Sequence, residues 1–262
     1  EFPMSVQLAG CEPAVMADAA RLNEDRGAAI IDINFGCPVK KVVKRNGGSG
    51  CLKDLGLVQT IIRSVKDATH LPVTVKIRSG WNEEMRDPVG IALRCQDAGA
   101  RVLTLHARSR TQMYTGHANW DEIAAVVAAL DIPVVGNGDV WSGADAKRMR
   151  DHTNCAGIMI ARGSHGAPWV FREARAALSG EPIPAAPGVA ERFAIVIEHA
   201  RNAVAFGGDE TRAMLEFRKH LGWYTKGLPE GKKLRQELFA VTTLAQAQSL
   251  LEGYAERELI AA

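Results

Sequence analysis

Residues 32–38 read Asp-Ile-Asn-Phe-Gly-Cys-Pro, which places a thiol on a turn directly after an apolar run. Pro38 cannot continue a strand and Gly36 lets the backbone turn sharply, so Cys37 is pushed out at a strand end, where a thiol can act as an acid or a nucleophile. In "VTVKIRSG" (73–80) Lys76 lies inside a run expected to be buried, where an unpaired ammonium is costly. Alternation puts Arg78 on the same strand face, so the two cations need an acid or an anionic ligand beside them. His106 ends "VLTLH" and opens a loop that carries Arg108, Arg110, Gln112, Tyr114 and Trp120. Basic and aromatic groups on one rim can grip phosphates and stack bases. Gly136 and Gly138 in "GNGDV" (136–140) and Gly163 in "GIMIARG" (157–163) permit close backbone approach. At consecutive strand ends such loops suit a phosphate-bearing cofactor such as FMN.

These groups need elements to hold them. Six short apolar runs, at 5–10, 29–36, 72–80, 102–108, 133–140 and 157–163, are rich in Val, Ile and Leu and predict strands buried on both faces of a parallel sheet. Helical patterns such as 87–100 and 120–130 separate them, giving a βα repeat. Polar residues stand at nearly every strand end: Gln7, Asn34, Lys76, His106, Asn137 with Asp139, and Arg162. That distribution favours a barrel, whose site collects residues from several strands, over a doubly wound sheet, for which a GxGxxG turn is missing. The expected fold is α/β, a TIM (β/α)8-type barrel lacking its first two βα units, followed by a small all-helical domain. The barrel is assigned to 1–180 and the helical domain to 189–262, with the Pro- and Gly-rich stretch 179–188 between them. The run "NGGSG" (46–50) is expected to be a flexible loop beside the site.

The formal net charge is +2, and the five cysteines (Cys11, Cys37, Cys51, Cys95, Cys155) form no CxxC pair. This favours reduced thiols in a cytoplasmic protein with neither a zinc site nor a disulfide framework. No apolar run reaches membrane-spanning length. Basicity concentrates in 211–235, which holds seven Lys or Arg against two acids. On a helix over about 211–226, Met214, Phe217, Leu221 and Tyr224 form a buried stripe, and Arg212, Lys219, Lys226 and an exposed Trp223 fall opposite. Cations beside an exposed indole point to nucleic acid.

Together, "VQLAG", "DINFGCPVKKV", "VTVKIRSGW", "LHARSRTQMYTGHANW", "VVGNGDV", "IMIARG" and "FRKHLGWYTKG" resemble the tRNA-dihydrouridine synthases, most closely the bacterial B branch, and they run in family order across nearly the whole chain. The resemblance implies an FMN-containing barrel followed by a tRNA-binding helical domain, reducing uridines with electrons from NADPH; a monomer is expected. It makes Cys37 the proton donor to C5 of a flipped-out uridine while hydride passes from the flavin to C6. It assigns Gln7, Asn34, Lys76, His106, Asn137, Gly138, Asp139, Ala161 and Arg162 to FMN, with Ala161 standing where the family commonly has glycine. Arg108, Arg110, Tyr114, Arg218, Lys219, Trp223 and Lys226 are the candidate tRNA contacts, and no metal is implied. The family's opening Pro-Met-Ala strand has no counterpart here. A dihydroorotate-type FMN dehydrogenase and a non-catalytic RNA-binding fragment are the alternatives.

Overall fold

The computed structural model describes residues 2–261, with side chains through Arg257. Its elements are β1 (Ser5–Leu8), α1 (Pro13–Asp25), β2 (Ile30–Phe35), α2 (Lys40–Val43), a 3-10 turn at Gly48–Lys53, α3 (Leu55–Ala68), β3 (Val73–Arg78), α4 (Pro88–Asp97), β4 (Val102–His106), α5 (Trp120–Ala129), β5 (Val134–Asn137), α6 (Gly143–Thr153) and β6 (Gly157–Met159). A second 3-10 turn (Arg162–Ser164) leads to α7 (Val170–Ser179), α8 (Val189–Gly207), α9 (Glu210–Tyr224), α10 (Gly231–Leu238) and α11 (Leu244–Ala261). Helix starts follow local chemistry. Asp54, Asp87, Asn119 and Ser142 each accept a backbone N–H from the first turn of the helix they precede, and Pro88 occupies the position where its missing N–H costs nothing.

The six strands form one parallel sheet in sequence order, each paired only with its neighbours in the chain. Ile31, Ile33, Phe35, Val75, Ile77, Leu103 and Leu105 are fully buried on the face that packs under the helices. The other face differs from the expectation of two apolar faces. In register across the strands it carries Gln7 beside Asp32, Asn34 beside Lys76 and Thr104, and Arg78 beside His106 and Asn137. Toward the strand ends every second residue of β1–β4 is polar, and the face tolerates them because they bond to one another and to nearby backbone.

The chain divides into two compact units, Glu1–Ala161 and Arg162–Ala262. The division falls ahead of the proline-rich stretch, because residues 165–169 pack on the C-terminal helices. His165 stacks on Trp223, Trp169 packs against the helical core, and Gly166 (φ +71°) lies so close to Trp223 that a Cβ would stand 2.4 Å from its backbone carbonyl carbon. The core of this unit joins Phe193, Val196 and Ala200 of α8 to Leu234 and Leu238 of α10 and Leu251 and Tyr254 of α11. The stripe Met214, Phe217, Leu221 and Tyr224 of α9 is buried there as its spacing predicts.

Candidate active site

The C-terminal ends of β1–β5 hold a connected set of polar side chains within the first unit. Thr74 Oγ1 and Gln7 Nε2 donate to the two carboxylate oxygens of Asp32, each at 2.6 Å, and Asn34 Nδ2 donates to Gln7 Oε1 at 2.7 Å. Asn34 Oδ1 accepts from the backbone N–H groups of Gly36 (3.0 Å) and Cys37 (2.8 Å), the Asx-type turn that ends the strand. The Cys37 carbonyl accepts from the Ser49 amide (3.1 Å) and hydroxyl (2.8 Å). The backbone of Cys37 is thus held on both sides by bonds that leave its half-buried thiol unused.

The glycine-rich run 46–50 is part of this support rather than a flexible loop. Residues 47–50 are buried, Gly48 adopts φ +57°, and a Cβ there would come within 2.9 Å of both Cβ and O of Cys37. The glycines serve close approach, which from sequence alone looks the same as flexibility.

Lys76 Nζ donates to Asn137 Oδ1 at 3.1 Å, and Asn137 Nδ2 donates to the Met159 carbonyl at 2.8 Å. Burial, reinforced by the Arg78 cation, pushes the Lys76 ammonium down to about 8 against the pull of Asp32. Asp32 is itself pushed upward by burial. The acid that acts on Lys76 is Asp32, which shares the Asn34 face of β2. Arg78, 2 % exposed, spreads its charge over three carbonyls, with Nε donating to Gly36 (3.0 Å) and Nη1 to Ser109 (3.0 Å) and Met113 (2.9 Å). This ties the cysteine turn to the loop after β4.

The Lys76 shift fixes a pH dependence. The unfolded chain binds that proton more tightly than the folded one, so the burial penalty is complete below about pH 8 and is relieved as pH rises toward the ordinary value of 10.5. The stability of Lys76→Met relative to the unsubstituted chain is expected to fall across that window. Urea unfolding of both proteins at pH 7 and pH 10 checks this, and a difference that stays constant or grows would refute it.

The loop after β4 changes the reading of Arg108. Arg108 is 1 % exposed, with Nη2 donating to Asp139 Oδ2 (2.7 Å) and the Gly116 carbonyl (2.7 Å), so its guanidinium is committed inside the loop and is not offered to a phosphate. Asp139 (φ +56°) also accepts from the Ala118 amide, and Trp120 Nε1 donates to the Gly138 carbonyl. His106 is buried. The exposed Tyr114 ring lies 6.2 Å from the His106 ring and 5.5 Å from the Arg78 guanidinium carbon. Arg110 lies over the Trp81 ring at 4.5 Å. Ala161 ends the first unit and Arg162 opens the second.

In the second unit Lys219 and Lys226 are exposed, but Arg218 donates Nε and Nη2 to the Val241 carbonyl and holds the segment after α10. Trp223 is half-buried, not exposed, because His165 covers it at 4.0 Å between centroids. Trp223, His165, His199, His220 and Lys219 line a cleft of about 550 Å³. Burial, with His199 and Lys219 nearby, pushes His220 down to about 4, so its ring is neutral at physiological pH.

Sequence reasoning missed Asp32, Ser49 and the anchoring role of Arg78. The period-two spacing of Asp32 with Asn34 was the available signal for the first. Nothing local signals that Ser49 meets a carbonyl twelve residues earlier. Among the described residues no group of His, Cys, Asp and Glu could hold a metal ion, and no helix is long and apolar enough to cross a membrane.

A sequence profile of the family described as Dihydrouridine synthase (Dus) matches residues 1–259. The chain is 41% identical over 258 residues to tRNA-dihydrouridine synthase B of Pseudomonas aeruginosa, covering 98% of this chain and 77% of that one. It is 39% identical over 250 residues to tRNA-dihydrouridine synthase B of Pasteurella multocida, covering 95% and 75%. In fold alone, at 11% identity and TM-score 0.50, it is similar to a mandelate racemase/muconate lactonizing-type protein from Labrenzia alexandrii, over 68% of this chain and 45% of that chain.

Proposed function

This chain belongs to the dihydrouridine synthase family, and from that premise we propose that it reduces specific uridines of tRNA to 5,6-dihydrouridine, with FMN as bound cofactor and NADPH as electron donor. The observation that carries this reading is the support of Cys37. Its turn is fixed by Asn34 and Ser49 at the end of β2, on the same sheet that presents Lys76 and Asn137. A thiol so held can give a proton to a base without rearranging its backbone. Cys37 is the proposed proton donor.

The residues fit a flavin. Lys76 has one protein acceptor for its three N–H donors, which leaves donors for the polar edge of a ring system on a partly open face. At Gly138 (φ +122°) a Cβ would meet Ala118 Cβ at 2.7 Å and His106 at 3.1 Å, so only glycine leaves that strand end as it is. FMN, when bound, supplies the hydride. Lys76, Asn137, Gly138 and Asp139, with Gln7, Asn34, His106, Ala161 and Arg162, are the residues proposed to hold it. Gln7 and Asn34 act through the Asp32 and Cys37 bonds described above. In the sheet β1 and β6 each keep one unpaired edge, as six consecutive strands of an eight-stranded barrel would. We propose that arrangement, with the second unit as the tRNA-binding domain through Lys219 and Lys226, in a monomeric cytoplasmic enzyme.

The test is mass spectrometry of tRNA from cells lacking the gene, with and without the gene restored. Dihydrouridine that disappears on deletion and returns on restoration is expected. A level unchanged by deletion and restoration would sink the reading.

A further inference from the structure

The segment that follows Cys37 has a charge pattern of its own. Residues 38–53 hold Lys40, Lys41, Lys44, Arg45 and Lys53 and no Asp or Glu. All five are exposed, and none forms an ion pair among the described residues. Helix α2, which bears Lys40 and Lys41, packs on the Gly48–Lys53 turn. At the end of that turn Lys53 Nζ lies 4.2 Å from the centroid of the Trp81 ring, over which Arg110 also lies at 4.5 Å. Arg110 Nε is buried and has no hydrogen-bond partner among the described residues. One half-buried indole therefore holds two cations side by side, one with a donor that the protein leaves unused.

The acids nearby do not neutralise this group. Glu83 is taken by Arg86 and the Ser109 hydroxyl, Asp54 caps α3 through the Leu57 amide and Asp87 caps α4 through the Gly90 amide, which leaves Glu84 as the exposed acid of the loop after β3 without such a bond among the described residues. Six cations against so little acid, spread from α2 to the loop after β4, exceed what one phosphate needs and suit an extended polyanion.

We infer that α2, the Gly48–Lys53 turn and the Lys53–Trp81–Arg110 cluster form an RNA phosphate-backbone contact on the first unit, beside Cys37. The inference deepens the proposed function and rests on it for the identity of the RNA. Trp81 is the positioning residue: it keeps Lys53 and Arg110 together so that less side-chain freedom is lost on binding.

The experiment measures the affinity of the protein for fluorescein-labelled unmodified tRNA by anisotropy across a salt series. Lys53→Gln with Arg110→Gln is expected to make the dependence of log affinity on log salt shallower by about 2, about 1 for each phosphate no longer neutralised, and to weaken binding similarly for different tRNAs. Lys40→Gln with Lys41→Gln should act in the same direction. Trp81→Phe should keep the slope and Trp81→Ala should lower it, with circular dichroism melting showing that each variant is folded. An unchanged slope in folded variants overturns the inference, as does an effect confined to the KM for NADPH, which would make a dinucleotide phosphate the occupant. The slope is read on binding alone, so it decides this surface separately from whether dihydrouridine is formed.

Discussion

Exchanging Cys37 for alanine is expected to lower dihydrouridine formation by about 10²–10⁴-fold, the range that a positioned proton donor contributes, with tRNA affinity changed by less than about twofold. The separation of the two effects follows from how the turn is built. Asn34 accepts from the Cys37 amide and Ser49 donates to the Cys37 carbonyl, so neither bond involves the thiol. Alanine keeps both bonds and the packing against Gly48, and it removes only the Sγ–H. Mass spectrometry of tRNA treated with the purified variant, beside an anisotropy titration, checks both parts. Near-normal turnover would move the proton donor elsewhere in the site. Equal losses of turnover and binding would make Cys37 structural.

Arg108→Met is expected to reduce unfolding free energy by about 3–5 kcal/mol, as for removal of one partner of a buried pair. Arg108 is 1 % exposed, and its loss removes one charged donor from the Asp139 carboxylate and the same guanidinium's bond to the Gly116 carbonyl. Asp139 keeps the Ala118 amide as a donor, which places the effect toward the lower end of that range. Adding Asp139→Asn should return part of the loss, since Asn tolerates φ +56° and can still accept from Ala118 without carrying the charge that Arg108 balanced. Urea unfolding of the two single variants and the double variant forms the cycle. A midpoint unchanged in Arg108→Met would show that the loop after β4 does not depend on this pair.

Arg108 also shows where local reading of this chain stops. "HARSR" presents three basic side chains in five residues, and as a string they look alike. In the fold His106 is buried at the strand end, Arg108 closes its own loop on Asp139, and Arg110 reaches over Trp81. Which cation faces a ligand depends on which groups fold up against it, and these are the Asp139 carboxylate for Arg108 and the Trp81 ring for Arg110, both far along the chain. The same limit explains Trp223. Helical periodicity places it correctly away from the Met214–Tyr224 stripe, but His165, which covers it, is 58 residues earlier and carries no periodic signal.

What the sequence determined by itself is what local chemistry controls. The six strands follow from short Val/Ile/Leu runs broken by turns, their parallel order from the helices between them, and the end of β2 from Asn34, Gly36 and Pro38 acting over five residues. The placement of Cys37 on a turn and the need of Lys76 for a nearby acid belong to the same class, because φ restriction and the cost of a buried charge are properties of the residues themselves. Tertiary structure alone decided that the acid acting on Lys76 is Asp32, that Arg78 pins two loops, that Gly48 packs against Cys37, and that Lys53 and Arg110 meet on one indole. The reason is physical. Strand and turn formation is governed by neighbours a few residues away, whereas hydrogen-bond partners and charge neighbours are chosen by side chains that folding brings together from distant positions.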